Sequence, residues 1–266
     1  MVSDLPPDAL RRHEALRIDA SGRHAFADTV IAELPIAFAY NGLAHAVMLA
    51  TPADLDDFAL GFSLNEGIVD DASQLRLVEQ QRSSEGIALE LAIPQACFDR
   101  LAERTRHLAA GSGCGLCGLE SLQQTLREPP DVRDDAQIDA AAIVAGMRRL
   151  QDAQPLNRES GGVHAAAWIA GDALLVREDV GRHNALDKLV GALARVSRPS
   201  GFLALSSRAS YELVHKAACA GMGVIAVISA PTTLAIDLAE RSGITLVAFV
   251  RGEQMNVYSH AWRIRG

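Results

Sequence analysis

Two of the four cysteines, Cys114 and Cys117, stand three residues apart within the glycine-rich segment 111–118. Thiols at this spacing can form a disulfide, bind one metal ion or pass a sulfur atom between them. Glycine makes up four of the eight residues, and it gives the backbone freedom at an entropic cost. The pattern therefore predicts a thiol pair that moves or is closely approached, rather than two thiols that fill a core.

Metal chemistry fits this pair poorly. A structural zinc site usually takes its four ligands from two Cys pairs, or from one Cys pair and two closely spaced His residues. The chain has no second Cys pair and no such His pair. A zinc deaminase needs His-x-Glu ahead of Pro-Cys-x-x-Cys, but no His here is followed two places on by Glu, and Gly113 stands in place of the Pro.

A thioredoxin-type redox centre is also disfavoured, because its thiols lie between a strand and a helix of a βαβ unit, whereas this pair follows a predicted helix. A sulfur relay remains, in which a thiolate accepts sulfur from a donor persulfide. The thiol of free cysteine has a pKa of about 8.5, so Cys114 needs a helix N-terminus or a basic neighbour to activate it. The sequence does not show which of the two activates it.

The composition is that of a soluble globular protein. Of the 266 residues 49% are hydrophobic and 22% charged, and the formal net charge of −8 argues against broad nucleic-acid binding. We see no signal peptide and no apolar run near the ~18 residues that a membrane span needs. We therefore expect a cytoplasmic protein with reduced thiols that does not enter a membrane, and we expect Cys97 and Cys219 to be buried.

The N-terminal half predicts a loose arm over residues 1–24 and an α+β domain over residues 25–135. Asn41-Gly42 between two apolar runs is a strong hairpin signal. A helix is predicted from Thr51 as N-cap to near Gly67. A second hairpin (75–93) and a helix (95–109) lead to the thiol pair, and a further helix (119–127) follows it.

The C-terminal half, residues 136–266, alternates short apolar runs with helical patterns and predicts an α/β domain with a mixed, largely parallel sheet. Such sheets bind ligands beyond the carboxyl ends of their strands. Those ends carry hydroxyl residues, helix N-termini and arginines, which together favour phosphate binding. Ordinary helix capping is the alternative for the Ser and Thr residues. The ends are 178–179, 206–208, 229–233 and 251–253.

One predicted helix, 182–196, has two distinct faces. Its leucine-rich stripe is typical of a core face. The other face begins with an unusual polar set and is predicted to point outward, toward a ligand or toward solvent. That set is Arg182, His183, Asn184, Asp187 and Lys188.

Several of these motifs resemble the FdhD family, the formate dehydrogenase accessory sulfurtransferases. The resemblance covers about residue 31 to the C-terminus and rests on Cys114-Gly-x-Cys117-Gly, Gly161-Gly162-x-His164-Ala-Ala, the block 177–188, Ser206-Ser-Arg-Ala-Ser-Tyr-Glu212, Ser229-Ala-Pro-Thr232 and Arg251-Gly252. Ser160 stands where a Thr is expected.

The resemblance implies a cytidine-deaminase-like, three-layer C-terminal domain without zinc. It also implies a homodimer that takes sulfur from a cysteine desulfurase, carries it as a persulfide on Cys114, and passes it to the molybdenum of a bis(molybdopterin guanine dinucleotide) cofactor destined for formate dehydrogenase. Guanine nucleotides would mimic part of that cofactor. The role of Cys117 stays open, since it could keep Cys114 reduced, resolve the persulfide or be secondary.

The predicted site thus has Cys114 and Cys117 as sulfur-handling residues and no metal. The predicted cofactor contacts are Arg182, His183, Asn184, Ser207, Arg208, Thr232, Phe249, Val250, Arg251, Gly252, Glu253 and Gln254, of which 249–254 come from the resemblance. Two alternatives remain. The chain could be a cofactor-binding chaperone whose Cys pair binds a metal or docks a partner, or a nucleotide-binding regulator.

Overall fold

The computed structural model describes residues 8–110 and 129–266. The predicted thiol pair, Cys114 and Cys117, and the predicted helix 119–127 lie outside these ranges. Two halves are seen, each with its own sheet and core, and they meet along a pair of helices.

An antiparallel ribbon precedes both halves, formed by β1 (Leu10–Asp19) and β2 (Gly22–Ile31), which pair over their full length. The prediction of a loose arm is therefore wrong for residues 10–24. Strands are recognised by one buried, apolar face, and this ribbon is exposed on both faces over most of its length. Ile18, for example, is 68% exposed.

The N-terminal half is a four-stranded sheet in the order β4-β3-β6-β5, made of β3 (Leu34–Tyr40), β4 (Leu43–Ala50), β5 (Arg76–Arg82) and β6 (Ile87–Ala92). Two helices, α1 (Leu55–Asn65) and α2 (Gln95–Ala110), pack with it around a core of aromatic and branched side chains. Both predicted hairpins are confirmed. Asn41 and Gly42 have φ of 48° and 81°, the left-handed conformations that a tight hairpin turn requires.

Helix α1 starts later than predicted. Thr51 is not its N-cap, because the helix begins at Leu55 after Asp54, whose φ is 52°. Thr51 is instead fully buried, and its backbone and hydroxyl bond to the C-terminal half.

The C-terminal half is built on a six-stranded sheet in the order β13-β12-β11-β10-β8-β9. The elements of this half are β7 (Ile138–Asp139), α3 (Ala140–Asp152), α4 (Pro155–Ser160), β8 (His164–Ala170), β9 (Ala173–Asp179), α5 (Arg182–Leu193), β10 (Phe202–Leu205), α6 (Tyr211–Cys219), β11 (Val224–Val227), α7 (Thr233–Arg241), β12 (Thr245–Arg251), β13 (Gln254–Val257) and β14 (Ile264–Arg265).

The sheet is mixed, as predicted, but it is not largely parallel. Only the β10–β11 and β11–β12 pairings are parallel, whereas the other three are antiparallel. Alternating strands and helices indicate parallel pairing, and this holds for β10, β11 and β12, whereas β8, β9 and β13 join the sheet through antiparallel pairs. Helix α3 covers one face and α5, α6 and α7 cover the other, which gives three layers. Kinship with the cytidine deaminase fold stays a prediction.

The C-terminal half also begins earlier than the predicted boundary at residue 136. Val132 lies in its core, and the Val132 amide donates to the carbonyl oxygen of Ser242 at 2.9 Å. Of the two cysteines expected in cores, Cys97 is buried but Cys219 is exposed, because it ends α6 on the side away from the sheet.

The two halves are joined where α1 crosses α5 at two glycines. A Cβ atom added to Gly61 would lie 2.7 Å from the Gly191 amide nitrogen and would overlap the carbonyl oxygen of Asp187. One added to Gly191 would likewise overlap the carbonyl oxygen of Asp57. The helix backbones are therefore in direct contact, which only glycine permits.

An ion-pair network reinforces this crossing. Asp57 of α1 accepts hydrogen bonds from Arg177 at 2.7 Å and from Arg195 at 2.8 Å, and its side chain is only 11% exposed. A carboxylate of one half thus ties two arginines of the other. Partly buried pairs of this kind are less screened by salt than surface pairs.

Candidate functional site

Four strands of the C-terminal half end at one edge of the sheet. Strand β9 is antiparallel to β8, which is antiparallel to β10, so β9 runs in the same direction as β10, β11 and β12. Their carboxyl ends therefore share this edge with the N-termini of α5, α6 and α7. The prediction that polar groups gather there is confirmed.

A buried carboxylate organises the start of α5. One oxygen of Asp179 accepts from the Gly181 amide at 2.8 Å and from Asn184 at 3.0 Å. The other accepts from the Lys188 ammonium at 2.6 Å and from the Thr51 amide at 3.1 Å. Asp179 and Lys188 are both fully buried. The carboxylate thus fastens the first turns of α5 to the N-terminal half.

The outward polar face predicted for α5 is wrong in most of its members. Asn184, Asp187 and Lys188 are buried against the N-terminal half. The side-chain amide of Asn184 donates to Asp179 and, at 2.8 Å, to the carbonyl oxygen of Leu49. It is therefore not placed to contact a cofactor. A polar helix face usually points to solvent, but this one meets partners of matching chemistry on another element.

Asp187 illustrates how these partners match. It accepts from Asn65 at 2.6 Å and from Lys216 at 2.7 Å, and it is fully buried. Burial raises the pKa of this carboxyl, while Lys216 and Asn65 act in the opposite direction.

Arg182 is the first residue of α5 and the one of its five polar residues 182–188 whose side chain has no hydrogen-bond partner in the described part of the chain. Among the described residues its Nε atom is buried and has no hydrogen-bond partner, and no carboxylate pairs with its guanidinium. Because the N-cap residue Gly181 has no side chain, it accepts no hydrogen bond from the first backbone amides of α5, and within the described residues these amides are uncapped as well. Uncapped amides and an unpaired guanidinium at one helix start are donors for an anion.

Two histidines adjoin Arg182. His183 lies 2.8 Å from the carboxylate of Glu212 and 3.4 Å from the hydroxyl of Ser210, both at the start of α6. His164 begins β8 and pairs in register with Asp179. Burial lowers the pKa of both imidazoles, and the nearby charge of Arg182 lowers them further.

The middle of the edge holds Ser207, Arg208 and Thr232. Ser207 is buried and its hydroxyl donates to the carbonyl oxygen of Arg208, whereas the Arg208 side chain is exposed. Thr232 caps α7 by accepting from the Ala235 amide at 3.2 Å, which is the ordinary capping role. Of these three, Arg208 is best placed to meet a ligand.

The far end of the edge is the segment 249–254. Phe249 has φ of 54°, a left-handed conformation that is rare for a bulky residue and occurs at a β-bulge of β12. Arg251 donates from Nε to the carbonyl oxygen of Ile228 at 3.1 Å. Val250 packs in the core, so only its backbone can meet a ligand. Gly252, Glu253 and Gln254 are exposed at the turn into β13.

The predicted contacts therefore fall into two groups rather than one. Arg182 lies beside β9, and segment 249–254 runs from the end of β12, four strands away, into β13. At about 4.8 Å per strand the groups are roughly 19 Å apart, with Arg208 between them. A ligand that touches both must be long.

Two site residues escaped the sequence reasoning, His164 and Asp179. His164 stands in the motif Gly161-Gly162-x-His164, directly before a buried strand, and that position at a strand start was the signal available. Asp179 was noted only as a strand end, because its partner Thr51 is far away in sequence.

Comparison with known proteins identifies the family of this chain. The model of the FdhD/NarQ family matches residues 31–265. The chain belongs to this family. The matched range takes in both sheets and the helices packed on them, and strand β1 of the ribbon lies outside it.

Two named relatives are close in sequence. The sulfur carrier protein FdhD of Variovorax paradoxus (strain S110) is 51% identical over 243 residues, which are 90% of this chain and 87% of that protein. The sulfur carrier protein FdhD of Xanthomonas euvesicatoria pv. vesicatoria (strain 85-10) is 50% identical over 260 residues, 96% of this chain and 90% of that protein.

A solved structure is similar as well. The crystal structure described as a formate dehydrogenase accessory protein from Desulfotalea psychrophila superposes with a TM-score of 0.76 at 26% identity, covering 97% of this chain and all of that one. Within residues 8–110 and 129–266 no helix is both long and apolar enough to cross a membrane.

Proposed function

We propose that this protein is a sulfurtransferase that supports formate dehydrogenase by carrying sulfur on Cys114 to a bis(molybdopterin guanine dinucleotide) molybdenum cofactor. Family membership and the names of its relatives support the carrier role. The observation that carries the cofactor part is the buried Nε atom of Arg182 at the start of α5, which has no hydrogen-bond partner within residues 8–110 and 129–266.

The loading step needs only a thiolate. Cys114 attacks the outer sulfur of a persulfide on a cysteine desulfurase, the donor S–S bond breaks, and the donor cysteine leaves as a thiolate. Cys114 then holds the persulfide, and no external oxidant or reductant is consumed. We place this step in the cytoplasm, where thiols are kept reduced.

The edge of the C-terminal sheet suits the substrate that receives the sulfur. A bis(molybdopterin guanine dinucleotide) has two nucleotide arms, and the edge offers two groups of contacts about 19 Å apart. Arg182 and the open amides of α5 would bind phosphate, Arg208 would bind a second anionic group, and segment 249–254 would contact the other arm.

We further propose that the working form is a homodimer and that it meets two proteins, the desulfurase and the catalytic subunit of formate dehydrogenase. The dimer is inferred from the family resemblance, and the two partners follow from the transfer itself, since one donates the sulfur and the other uses the sulfurated cofactor.

Sulfur loading is tested by intact-protein mass. After incubation with a cysteine desulfurase and cysteine, the wild-type chain should gain about 32 Da, and Cys114→Ala should not. Cys97→Ala is the control and should load normally, because Cys97 is buried. Normal loading of the Cys114 variant would show that another thiol is the carrier.

The alternative in which the Cys pair binds a metal makes a different prediction. It requires one tightly held metal ion per chain that is lost in Cys114→Ser, together with no sulfur adduct. Elemental analysis of protein purified without added zinc therefore separates a relay from a metal site.

The phosphate site is tested with GDP and guanosine. GDP should protect the protein against thermal unfolding and guanosine much less, because phosphate supplies the charge that Arg182 and α5 bind. Arg182→Ala should weaken GDP binding by about 1.5–3 kcal/mol, the range for hydrogen bonds to charged groups. Equal protection by GDP and guanosine would refute a phosphate site.

A further inference from the structure

In the described part of the chain, the buried Nε atom of Arg182 has no hydrogen-bond partner and no carboxylate pairs with the guanidinium. Nearby carboxylates are already taken, since Asp179 is bonded to Lys188 at 2.6 Å and Asp187 to Lys216 at 2.7 Å. Glu212 faces His183 at 2.8 Å. A buried donor without an acceptor is costly, so this arrangement is expected to be completed by an anion from outside.

The two imidazoles flank this unpaired guanidinium from different elements. His183 follows Arg182 on α5, and His164 comes from the start of β8, close enough to both for their charges to interact. His164 faces Arg182 and Asp179, whereas His183 faces Glu212, Arg182, Lys216 and His164. Asp179 and Asp187 are each paired with a lysine, so among the described residues Arg182 is a cation without a carboxylate partner of its own.

We propose that His164 and His183 complete a site with Arg182 for a doubly charged phosphate group, and that the ligand binds there together with a proton. The inference rests on the proposed function only in its choice of a nucleotide as ligand. It adds His164 to the residues that bind the ligand, and it specifies that the bound phosphate group carries two negative charges.

The direction of the pH effect follows from the geometry. In the free protein, burial and the charge of Arg182 lower the pKa of both histidines below the usual value, which disfavours the protonated rings. A phosphate dianion beside them favours the protonated rings and raises both pKa values. Binding therefore takes up protons, and affinity falls as the pH rises through the pKa values of the complex.

The test measures dissociation constants of GDP and of pyrophosphate by calorimetry between pH 6.5 and 8.5. Terminal phosphates lose their second proton near pH 6, so the charge of the ligand changes little over this range. Each proton taken up changes affinity by up to about tenfold per pH unit. We expect wild-type affinity for both ligands to fall about tenfold or more, and proton uptake to show in buffers of different ionisation heat.

His164→Gln should make this dependence clearly shallower, because only His183 can then take up a proton, and its affinity should match the wild type at pH 8.5, where protonation of the ring is least favoured. A purely structural role for His164 would instead weaken binding equally at every pH. His24→Gln is the matched control, since His24 is exposed on the ribbon, and it should keep the wild-type profile.

The outcomes separate the two proposals. Pyrophosphate binding with a His164-dependent pH profile but no tighter binding of GDP would keep this inference and refute the guanine nucleotide. GDP binding with the same profile in wild type and His164→Gln would refute this inference and keep the nucleotide site. Failure of both ligands to bind at any pH would overturn both.

Discussion

Replacing Gly61 with alanine should destabilise this protein strongly, although alanine is the better helix former. By helix propensity alone, the change in α1 should stabilise by about 1 kcal/mol. The crossing with α5 reverses the sign. The new Cβ atom would lie 2.7 Å from the Gly191 nitrogen, and real Cβ contacts below 3.0 Å are essentially never seen.

The cost can be worked out from what surrounds the contact. The obstructing atoms are backbone, so no side chain can swing away, and the helix axes must move apart by roughly 1 Å or more, toward the usual spacing of about 8–10 Å. Separation also stretches the bonds of Asp57 and Asp187 across the junction. Overpacking alone costs about 1–3 kcal/mol, so we expect a loss of at least about 3 kcal/mol in total.

Urea unfolding followed by circular dichroism and by tryptophan fluorescence measures this loss. Both tryptophans, Trp168 and Trp262, are in the C-terminal half, so diverging transitions would reveal that the halves come apart. Gly146→Ala in α3 is the control. Its Cβ would meet only the side chains of Phe202 and Ile169, which can shift, and it should cost less.

A second variant tests whether the cost comes from the crossing itself. In Gly191→Ala, the new Cβ atom meets the backbone of the opposite helix at the same crossing. Once one alanine has forced the two helices apart, the second has more room. The double variant should therefore lose clearly less stability than the sum of the two single variants. A neutral or stabilising effect of Gly61→Ala would refute the reasoning, as would strict additivity.

Three further outcomes are expected. Lys188→Met should destabilise by about 3–5 kcal/mol, because it leaves Asp179 buried and unpaired, and chemical denaturation measures it. Arg208→Ala should weaken GDP binding in titration calorimetry by about 1–3 kcal/mol without changing stability, and unchanged affinity would remove Arg208 from the site. Ile18→Ser should leave the free energy of unfolding within about 0.5 kcal/mol, since Ile18 is 68% exposed, and a larger loss would show that the ribbon tip is packed.

Local signals predicted the elements well. The Asn41-Gly42 turn and the periodic apolar stripe of α5 each depend on residues close in sequence, and both were correct. The ribbon was missed because β1 buries neither face, so no alternation marks it. The sheet was assigned too many parallel pairs because apolar content reports burial on both faces and says nothing of strand direction.

The site was predictable only in part for a related reason. Arg182 and Arg208 could be placed because strand ends of an α/β sheet share an edge. The burial of Asn184 and Lys188 could not, because it depends on Thr51 and Leu49, more than 130 residues earlier. Residues that far apart form no local sequence pattern, so their contact could not be predicted from spacing.

The glycine crossing also bears on how this chain can be divided. A fragment ending near residue 135 would expose the bare backbone of α1 at Gly61 and leave Asp57 without its two arginines. The complementary fragment would lack Thr51 and would expose Lys188 and Asp179, which are buried in the intact chain. Each half has a core of its own, but each would expose groups that are buried only while the other half is present. The two halves must therefore be expressed together, and a truncation that preserves this junction should begin within the ribbon.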